Sequence, residues 1–147
     1  MIGLDTTVLL THEIEEARGH HDLRAQIREA SQSGNLHLAL APQVLQEFVH
    51  AATDPKRFRI PLTMDQALTR SRFWWEAAEI VHCHPGDRTW EQAWKWMEEF
   101  RLDRKRILDT YLAATYYERG VRKLATANTA DFAVFGVFSF ESWAQAH

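Results

Sequence analysis

Short apolar segments alternate with helical patterns along almost the whole chain, and this alternation limits the possible folds more than any other feature. The apolar segments that predict strands are residues 2–4, 36–42, 79–86, 122–126 and 136–140. The helical patterns cover residues 13–31, 42–52, 63–79, 89–100 and 107–120. Because strands that alternate with helices build parallel sheets, we expect an α/β fold with a mainly parallel sheet. No repeat or flexible linker interrupts the sequence, so residues 1–147 are predicted to form a single domain.

Charge and cysteine content exclude several classes of protein. The net charge is −3, so a nucleic acid would have to bind through a local basic patch and not through a global positive field. The candidate clusters are Lys56, Arg57 and Arg59; Arg70 and Arg72; and Arg101, Arg104, Lys105 and Arg106. Such clusters are also common on solvated surfaces. A single cysteine allows no internal disulfide, and no apolar run is long enough to cross a bilayer, so we expect a cytoplasmic protein with no membrane partner.

The first predicted strand is followed directly by an acidic residue in an otherwise apolar segment. Asp5 lies between Leu4 and the apolar residues 8–10. Burying an unpaired carboxylate there is costly or forces the group to take up a proton. Ligand sites in parallel sheets gather at the carboxyl ends of the central strands. Asp5 is therefore a candidate functional residue that needs a compensating partner.

Three more acids occupy comparable positions, and each has an ordinary structural alternative. Asp109 is in line with a stripe of apolar and small residues, or it caps a helix that begins at Thr110. Glu47 lies at the border of an apolar helix face, where a solvated role is common. Asp131 follows the fourth predicted strand and suits a turn or a helix cap equally well.

Together the four acids predict a chemistry that none of them predicts alone. A parallel sheet would bring strand ends and helix starts into one cleft, where crowded carboxylates repel each other unless cations or protons relieve them. Oxygen ligands without His or Cys favour Mg²⁺ or Mn²⁺ over Zn²⁺. Such ions activate water and neutralise a phosphodiester during in-line displacement. The pattern therefore indicates a nuclease.

Four stretches of the chain, in this order, resemble the PIN-domain ribonucleases and among them the VapC-type toxins of bacterial toxin–antitoxin pairs. The stretches are "GLDTTVLL", "PQVLQEFVHAATDPKRF", "RILDTYLAATYYERGVRKLAT" and "ANTADF". The resemblance implies a PIN-like three-layer α/β/α domain with a mainly parallel five-stranded sheet. It also implies a divalent-metal-dependent endoribonuclease that hydrolyses RNA, forms a homodimer and is inhibited by a small cognate antitoxin of the VapB kind.

The same resemblance assigns roles to individual residues. Asp5 and Asp109 would hold Mg²⁺ or Mn²⁺. Glu47 and Asp131 would complete the catalytic and metal-binding pocket, either directly or through water. Thr6 would support the site by orienting Asp5 through its hydroxyl.

The chain departs from the family pattern at two positions. Many relatives have Asn or Ser in place of Thr7, and many have an acid in place of Asn128. We assign the fourth acid to Asp131 and treat Asn128 as a neutral supporting residue that can bind water or phosphate. The missing acid leaves open a non-catalytic PIN-like module that binds RNA or protein. A phosphatase of the haloacid-dehalogenase type is disfavoured, because its second Asp would stand where Thr7 stands.

Two clusters outside the acids also suggest binding. His82 and His84 flank Cys83 at strand spacing and could bind a transition metal, although no further ligand is evident in the sequence. Trp90 and Trp94 share one predicted helix face. We expect these tryptophans to serve packing or a protein interface, with antitoxin contact as the working hypothesis and stacking on RNA bases as the alternative.

Overall fold

The computed structural model describes residues 1–143, which fold around a five-stranded sheet. The strands are β1 (Ile2–Leu4), β2 (Leu38–Leu40), β3 (Ile80–His82), β4 (Lys123–Ala125) and β5 (Ser139–Phe140). They lie in the order β3-β2-β1-β4-β5, and every neighbouring pair is parallel. The predicted α/β class and parallel sheet are confirmed.

Helices connect the strands and complete a three-layer α/β/α arrangement. They are α1 (Thr6–Glu13), α2 (His20–Gln32), α3 (Pro42–Ala52), α4 (Met64–Glu76), α5 (Thr89–Glu99), α6 (Ile107–Glu118) and α7 (Thr129–Ala133). A 3₁₀ turn, Arg104–Arg106, leads into α6. Within residues 1–143, none of the helices has the length and apolar character needed to span a bilayer.

Strand β1 occupies the centre of the sheet. It pairs with β2 on one side and with β4 on the other, so that Gly3 lies opposite both Ala39 and Leu124. Strand β2 is fully buried, in keeping with its continuous apolar sequence. Because the strands are parallel, Asp5 after β1 and Thr126 after β4 leave the sheet at the same edge.

Helix α6 packs closely on the central strand at Gly3. A Cβ atom at Gly3 would lie 2.8 Å from Leu124 Cδ2 and 3.1 Å from the Tyr116 ring. The Tyr116 hydroxyl donates to the Leu4 carbonyl at 2.5 Å and accepts the Ala41 N–H at 3.3 Å. This one side chain therefore joins α6 to the ends of both β1 and β2.

Removal of the buried Tyr116 hydroxyl is expected to weaken the fold. Tyr116→Phe should lower the free energy of unfolding by about 1–3 kcal/mol, because the Leu4 carbonyl and the Ala41 N–H lose a buried partner. Urea denaturation followed by circular dichroism measures the change. Tyr117→Phe is the matched control, since the Tyr117 hydroxyl makes no hydrogen bond within residues 1–143. Equal losses in the two variants would contradict the bridging role.

The structure departs from the sequence-based prediction near the N-terminus. The pattern predicts one helix over residues 13–31, whereas the structure has α1 and α2 with residues 14–19 between them. Gly19 precedes α2 with a left-handed backbone angle, φ 84°. Helix α1 has no single apolar stripe, because it buries consecutive residues 8–10, and a search for helical periodicity therefore misses it. The other predicted helices are confirmed, with ends that shift by a few residues.

Candidate functional site

The four candidate acids converge on the carboxyl edge of the sheet from four different elements. Asp5 directly follows β1 and caps α1, and Glu47 lies within α3. Asp109 lies in the first turn of α6, and Asp131 in the first turn of α7. The charge of Asp5 raises the pKa of both Glu47 and Asp109, and the charge of Asp131 raises the pKa of both Asp5 and Asp109. We call this group the acidic pocket.

Asp5 is the buried member of the acidic pocket, with 7% of its surface exposed. Its Oδ1 accepts the Thr6 backbone N–H at 2.8 Å. Its Oδ2 accepts the Thr126 hydroxyl at 2.6 Å and the Thr7 hydroxyl at 3.1 Å. Burial raises the pKa of Asp5, and this outweighs the hydrogen bonds, which lower it. The carboxylate is therefore held in a fixed orientation, but its charge is poorly compensated.

Thr7 and Thr126 orient Asp5, a role that the sequence analysis did not assign to them. The Thr126 hydroxyl also accepts the Asn128 N–H at 3.0 Å, and the Thr7 hydroxyl accepts the Ala127 N–H at 3.0 Å. Each hydroxyl thus ties Asp5 to the segment between β4 and α7. The position of Thr126 just after β4, the neighbour of β1, is the signal that could have identified it.

Thr6 contacts Asp5 in a different way from the one expected. Its backbone N–H, and not its hydroxyl, donates to the carboxylate. The buried Thr6 Oγ1 makes no hydrogen bond of ordinary geometry within residues 1–143, although it is close enough to Glu47 to lower the pKa of that group. A buried hydroxyl without a partner beside two carboxylates is suited to hold a water molecule or an ion-bound water.

Asp109 is half-buried and lies in the first turn of α6. The alternative in which it caps a helix beginning at Thr110 is wrong, because α6 begins at Ile107 and the capping position belongs to Arg106. Burial raises the pKa of Asp109 to about 6, with further increases from Asp5 and the other two acids, while Arg106 opposes them. A substantial fraction of this carboxyl is therefore protonated just below neutral pH when no cation is present.

Glu47 and Asp131 lie at the more open side of the pocket. Much of the Glu47 residue is exposed to solvent, but its carboxyl is partly desolvated by nearby protein atoms. This desolvation, and then the charge of Asp5, raises the pKa of Glu47, while Arg57 and His50 lower it. Asp131 is partly buried, and its backbone carbonyl accepts a hydrogen bond from the Arg106 guanidinium. Asn128 precedes α7 and is exposed, so its side chain is available to solvent.

The acidic pocket fits a hard divalent cation in its chemistry. Its donors are all oxygens, and the pKa values of Asp5, Glu47 and Asp109 are raised first by burial and then by the charges of neighbouring acids. Within residues 1–143, however, no three His, Cys, Asp or Glu side chains are arranged so that they could hold one ion together. Mg²⁺ commonly binds through only one or two carboxylates and keeps several waters. Asp5 and Asp109 would hold such an ion, and Glu47 and Asp131 would reach it through water.

The hydrogen bond from Thr126 to Asp5 is expected to support ion binding. Thr126→Val should weaken Mn²⁺ binding by about 10- to 100-fold, as loss of a group that orients a metal ligand typically does. Thr126→Ser retains the hydroxyl and should bind Mn²⁺ nearly as well as the unmodified chain. Calorimetric titration with Mn²⁺ measures both variants. Equal affinities for the Val and Ser variants would show that the hydroxyl does not matter.

Comparisons with known proteins agree with this architecture. The family model of the PIN domain matches residues 2–136, and the chain belongs to the PIN domain family. The predicted resemblance is thus confirmed. At position 7, where a haloacid dehalogenase would have its second Asp, the Thr7 hydroxyl donates to Asp5.

Named relatives place the chain more closely within this family. It is 26% identical over 145 residues to "Ribonuclease VapC24" of two Mycobacterium tuberculosis strains, CDC 1551 / Oshkosh and ATCC 25618 / H37Rv, and the match covers 92% of each protein. The fold is similar to that of VapC20 from Mycobacterium tuberculosis, described as a Sarcin-Ricin loop cleaving toxin, with a TM-score of 0.61, 16% identity and coverage of 84% and 87%. It is equally similar to FitAcB from Neisseria gonorrhoeae, with a TM-score of 0.61, 16% identity and coverage of 97% and 99%.

The histidine pair on β3 does not extend to a metal centre. His82 stacks on Trp75 with ring centroids 3.6 Å apart, and its Nε2 contacts the Trp75 carbonyl at 2.7 Å. Cys83 between the two histidines is buried on the other side of the strand. The two imidazoles do approach each other, at 6.3 Å between centroids, but residues 1–143 provide no third ligand there.

Proposed function

We propose that this chain is a VapC-like toxin, a divalent-metal-dependent endoribonuclease that hydrolyses RNA phosphodiester bonds and is inhibited by a cognate antitoxin. The observation that carries the proposal is the acidic pocket, in which carboxylates from four elements lie close together and burial raises the pKa of both Asp5 and Asp109, so that each favours a bound proton or cation. The ribonuclease name of the relatives that match over 92% of the chain supports the same activity.

The residues of the pocket divide the work of hydrolysis. A Mg²⁺ or Mn²⁺ ion, when bound, lowers the pKa of its water and neutralises charge on the phosphate. Asp5 and Asp109 bind the ion, and Thr7 and Thr126 keep Asp5 from rotating away. Glu47, which is open to solvent and has a raised pKa, is placed to accept a proton from the attacking water.

Partners and assembly follow from the same proposal. RNA is the substrate, the chain acts in the cytoplasm as a homodimer, and residues 1–147 form one PIN domain. Exposed apolar side chains on α5 and α6 support a protein interface, since Trp90, Trp94 and Leu108 are 42%, 57% and 71% exposed. Trp90 also stacks on Tyr111 of α6, at 4.6 Å between centroids, which fixes its orientation for such a contact.

The proposal is tested by incubating the purified chain with total RNA and mapping the new ends. We expect cleavage with Mg²⁺ or Mn²⁺ and none with excess EDTA. Cleavage should return when the ion is restored, because we expect the chain to remain folded while the ion is absent. Cleavage that persists in EDTA would contradict metal dependence.

The alternative is a non-catalytic PIN-like module that binds RNA or protein, favoured by the neutral Asn128 beside the pocket. Calorimetric titration with Mn²⁺ separates the two functions. An ion that binds the pocket and supports turnover excludes the module, whereas RNA binding without ion binding or cleavage supports it. Asn128→Asp would then be expected to gain ion affinity.

A further inference from the structure

We propose that two basic segments, one on each side of the acidic pocket, hold the RNA phosphates that flank the phosphate being cut. The first, called the α3–α4 loop here, carries Lys56, Arg57 and Arg59. The second is the 3₁₀ turn before α6, with Arg104, Lys105 and Arg106. This inference rests on the proposed function, because it assigns the substrate contacts of the same site.

The α3–α4 loop is held in shape by acids that bind its backbone. Asp54 accepts the Lys56 N–H through its side chain at 2.8 Å and the Arg57 N–H through its carbonyl at 3.1 Å. The Glu16 carboxylate accepts the N–H groups of Arg59 and Ile60 at 3.1 and 2.8 Å. The Asp54 and Glu16 carboxylates thus accept hydrogen bonds from backbone N–H groups of the loop, and the basic side chains are exposed.

The loop also lies beside the pocket. It begins directly after α3, the helix that carries Glu47, and returns to the end of that helix, where the Leu62 N–H donates to the Ala52 carbonyl at 2.9 Å. The Arg57 guanidinium is close enough to Glu47 to lower the pKa of that carboxyl. None of the three basic side chains of the loop forms a salt bridge within residues 1–143.

The 3₁₀ turn repeats this arrangement next to Asp109 of α6 and Asp131 of α7. The Asp103 carboxylate caps the turn by accepting the Lys105 N–H at 3.1 Å, which leaves the Arg104 and Lys105 side chains exposed. Arg106 lies one helical turn before Asp109 and donates to the Asp131 backbone carbonyl. Its guanidinium is held by the α7 backbone and its charge lowers the pKa of Asp109, while its buried Nε has no partner within residues 1–143.

Electrostatics requires such groups if the substrate is a polyanion. The chain carries a net charge of −3, and the acidic pocket itself repels phosphate, so the overall field does not attract RNA. Basic side chains on both sides of the pocket would offset that repulsion and hold a single-stranded RNA across it. Acids order the backbone of both segments, and within residues 1–143 none of their basic side chains forms a salt bridge, although Arg106 donates to a backbone carbonyl. Such an arrangement is suited to binding phosphates without rearrangement.

The experiment measures binding of a fluorescent single-stranded oligouridylate by anisotropy in EDTA, where no cleavage occurs, over a range of salt. Arg57→Gln and Lys105→Gln should each weaken binding about three- to tenfold at low salt and lower the slope of log affinity against log salt by about 0.7. Arg106→Gln should do the same, and Arg106→Lys should restore binding in part. Lys95→Gln, which removes an exposed charge from α5, is the matched control and should bind normally.

Several results would overturn the inference. Unchanged binding by the Arg57 or the Lys105 variant would show that the segment carrying that residue does not hold RNA. An equal loss in the Lys95 variant would show that the effect depends only on net charge. Competition by polyglutamate as effective as by RNA would make the surface a general anion site. If the chain does not cleave RNA but these variants still lose binding, the proposed hydrolysis fails and the two basic segments are RNA-binding sites only. If it cleaves and the variants bind normally, the inference alone fails.

Discussion

Asp5→Asn should lower RNA cleavage by about 1,000-fold while leaving the fold intact. The change removes the charge from the ligand that lies deepest in the acidic pocket, and an ion held there contributes several kcal/mol to stabilisation of the transition state. Each tenfold loss corresponds to about 1.4 kcal/mol, so the expected effect is about 4 kcal/mol. Single-turnover cleavage of an RNA with a mapped cut site measures it.

The amide suits this position because its neighbours can reverse their hydrogen bonds. The Thr126 and Thr7 hydroxyls, which donate to Asp5 Oδ2, can accept from an amide instead. The Thr6 N–H keeps an oxygen acceptor. Thermal unfolding in EDTA should therefore occur at the same or a higher temperature than in the unmodified chain, since a buried charge with a raised pKa has been removed.

The matched control for this variant is Asp65→Asn, an exposed acid in the first turn of α4. It makes the same chemical change away from the pocket and should cleave RNA at the normal rate. An Asp5 variant that retains more than about a tenth of the activity would mean that the reaction does not depend on this carboxylate.

The sequence was sufficient to predict the sheet and most of its helices because local pattern and tertiary role agree there. Residues 42–52 show a proline at the helix start and a regular apolar face, and α3 covers them. Helix α1 was missed because it is buried along consecutive residues, and the period of a helix is visible only when one side faces water. Helix α1 has no such side along residues 8–10, because it packs against both α2 and α3.

The sequence was sufficient to predict that the candidate acids lie near one edge of the sheet, but not which groups hydrogen-bond to them. Asp5 follows β1, Asp109 and Asp131 lie in the first turns of α6 and α7, and Glu47 lies in the middle of the helix that follows β2. Topology implies that such elements meet at one edge of the sheet. Which hydroxyl reaches Asp5 depends on side-chain direction over a few ångströms: Thr7 and Thr126 do so, and Thr6 uses its backbone. Strand adjacency of β1 and β4 is required to see the second of these contacts.

Asp109→Asn should abolish ion-dependent cleavage and yet stabilise the ion-free fold. Burial, and then the charge of Asp5, raises the pKa of Asp109 well above its ordinary value, to about 6. The folded state therefore holds this proton more tightly than the unfolded state, and stability is lost as pH rises from about 4 to above 6. After allowance for the partial exposure of the carboxyl, the neutral amide should add on the order of 1 kcal/mol above pH 7 in EDTA, or about 2–4 °C in Tm.

The same titration predicts how activity depends on pH. The ionised form of Asp109 binds the cation, so cleavage at limiting Mg²⁺ should fall as pH decreases through about 6. Higher Mg²⁺ competes with the proton and should move this fall to lower pH, and saturating Mg²⁺ should reverse the stability order of the unmodified chain and the variant. Cleavage rates and Tm values collected over pH at two ion concentrations test both statements. If the pH midpoint of the fall in activity is the same at both Mg²⁺ concentrations, the titrating group lies outside the pocket.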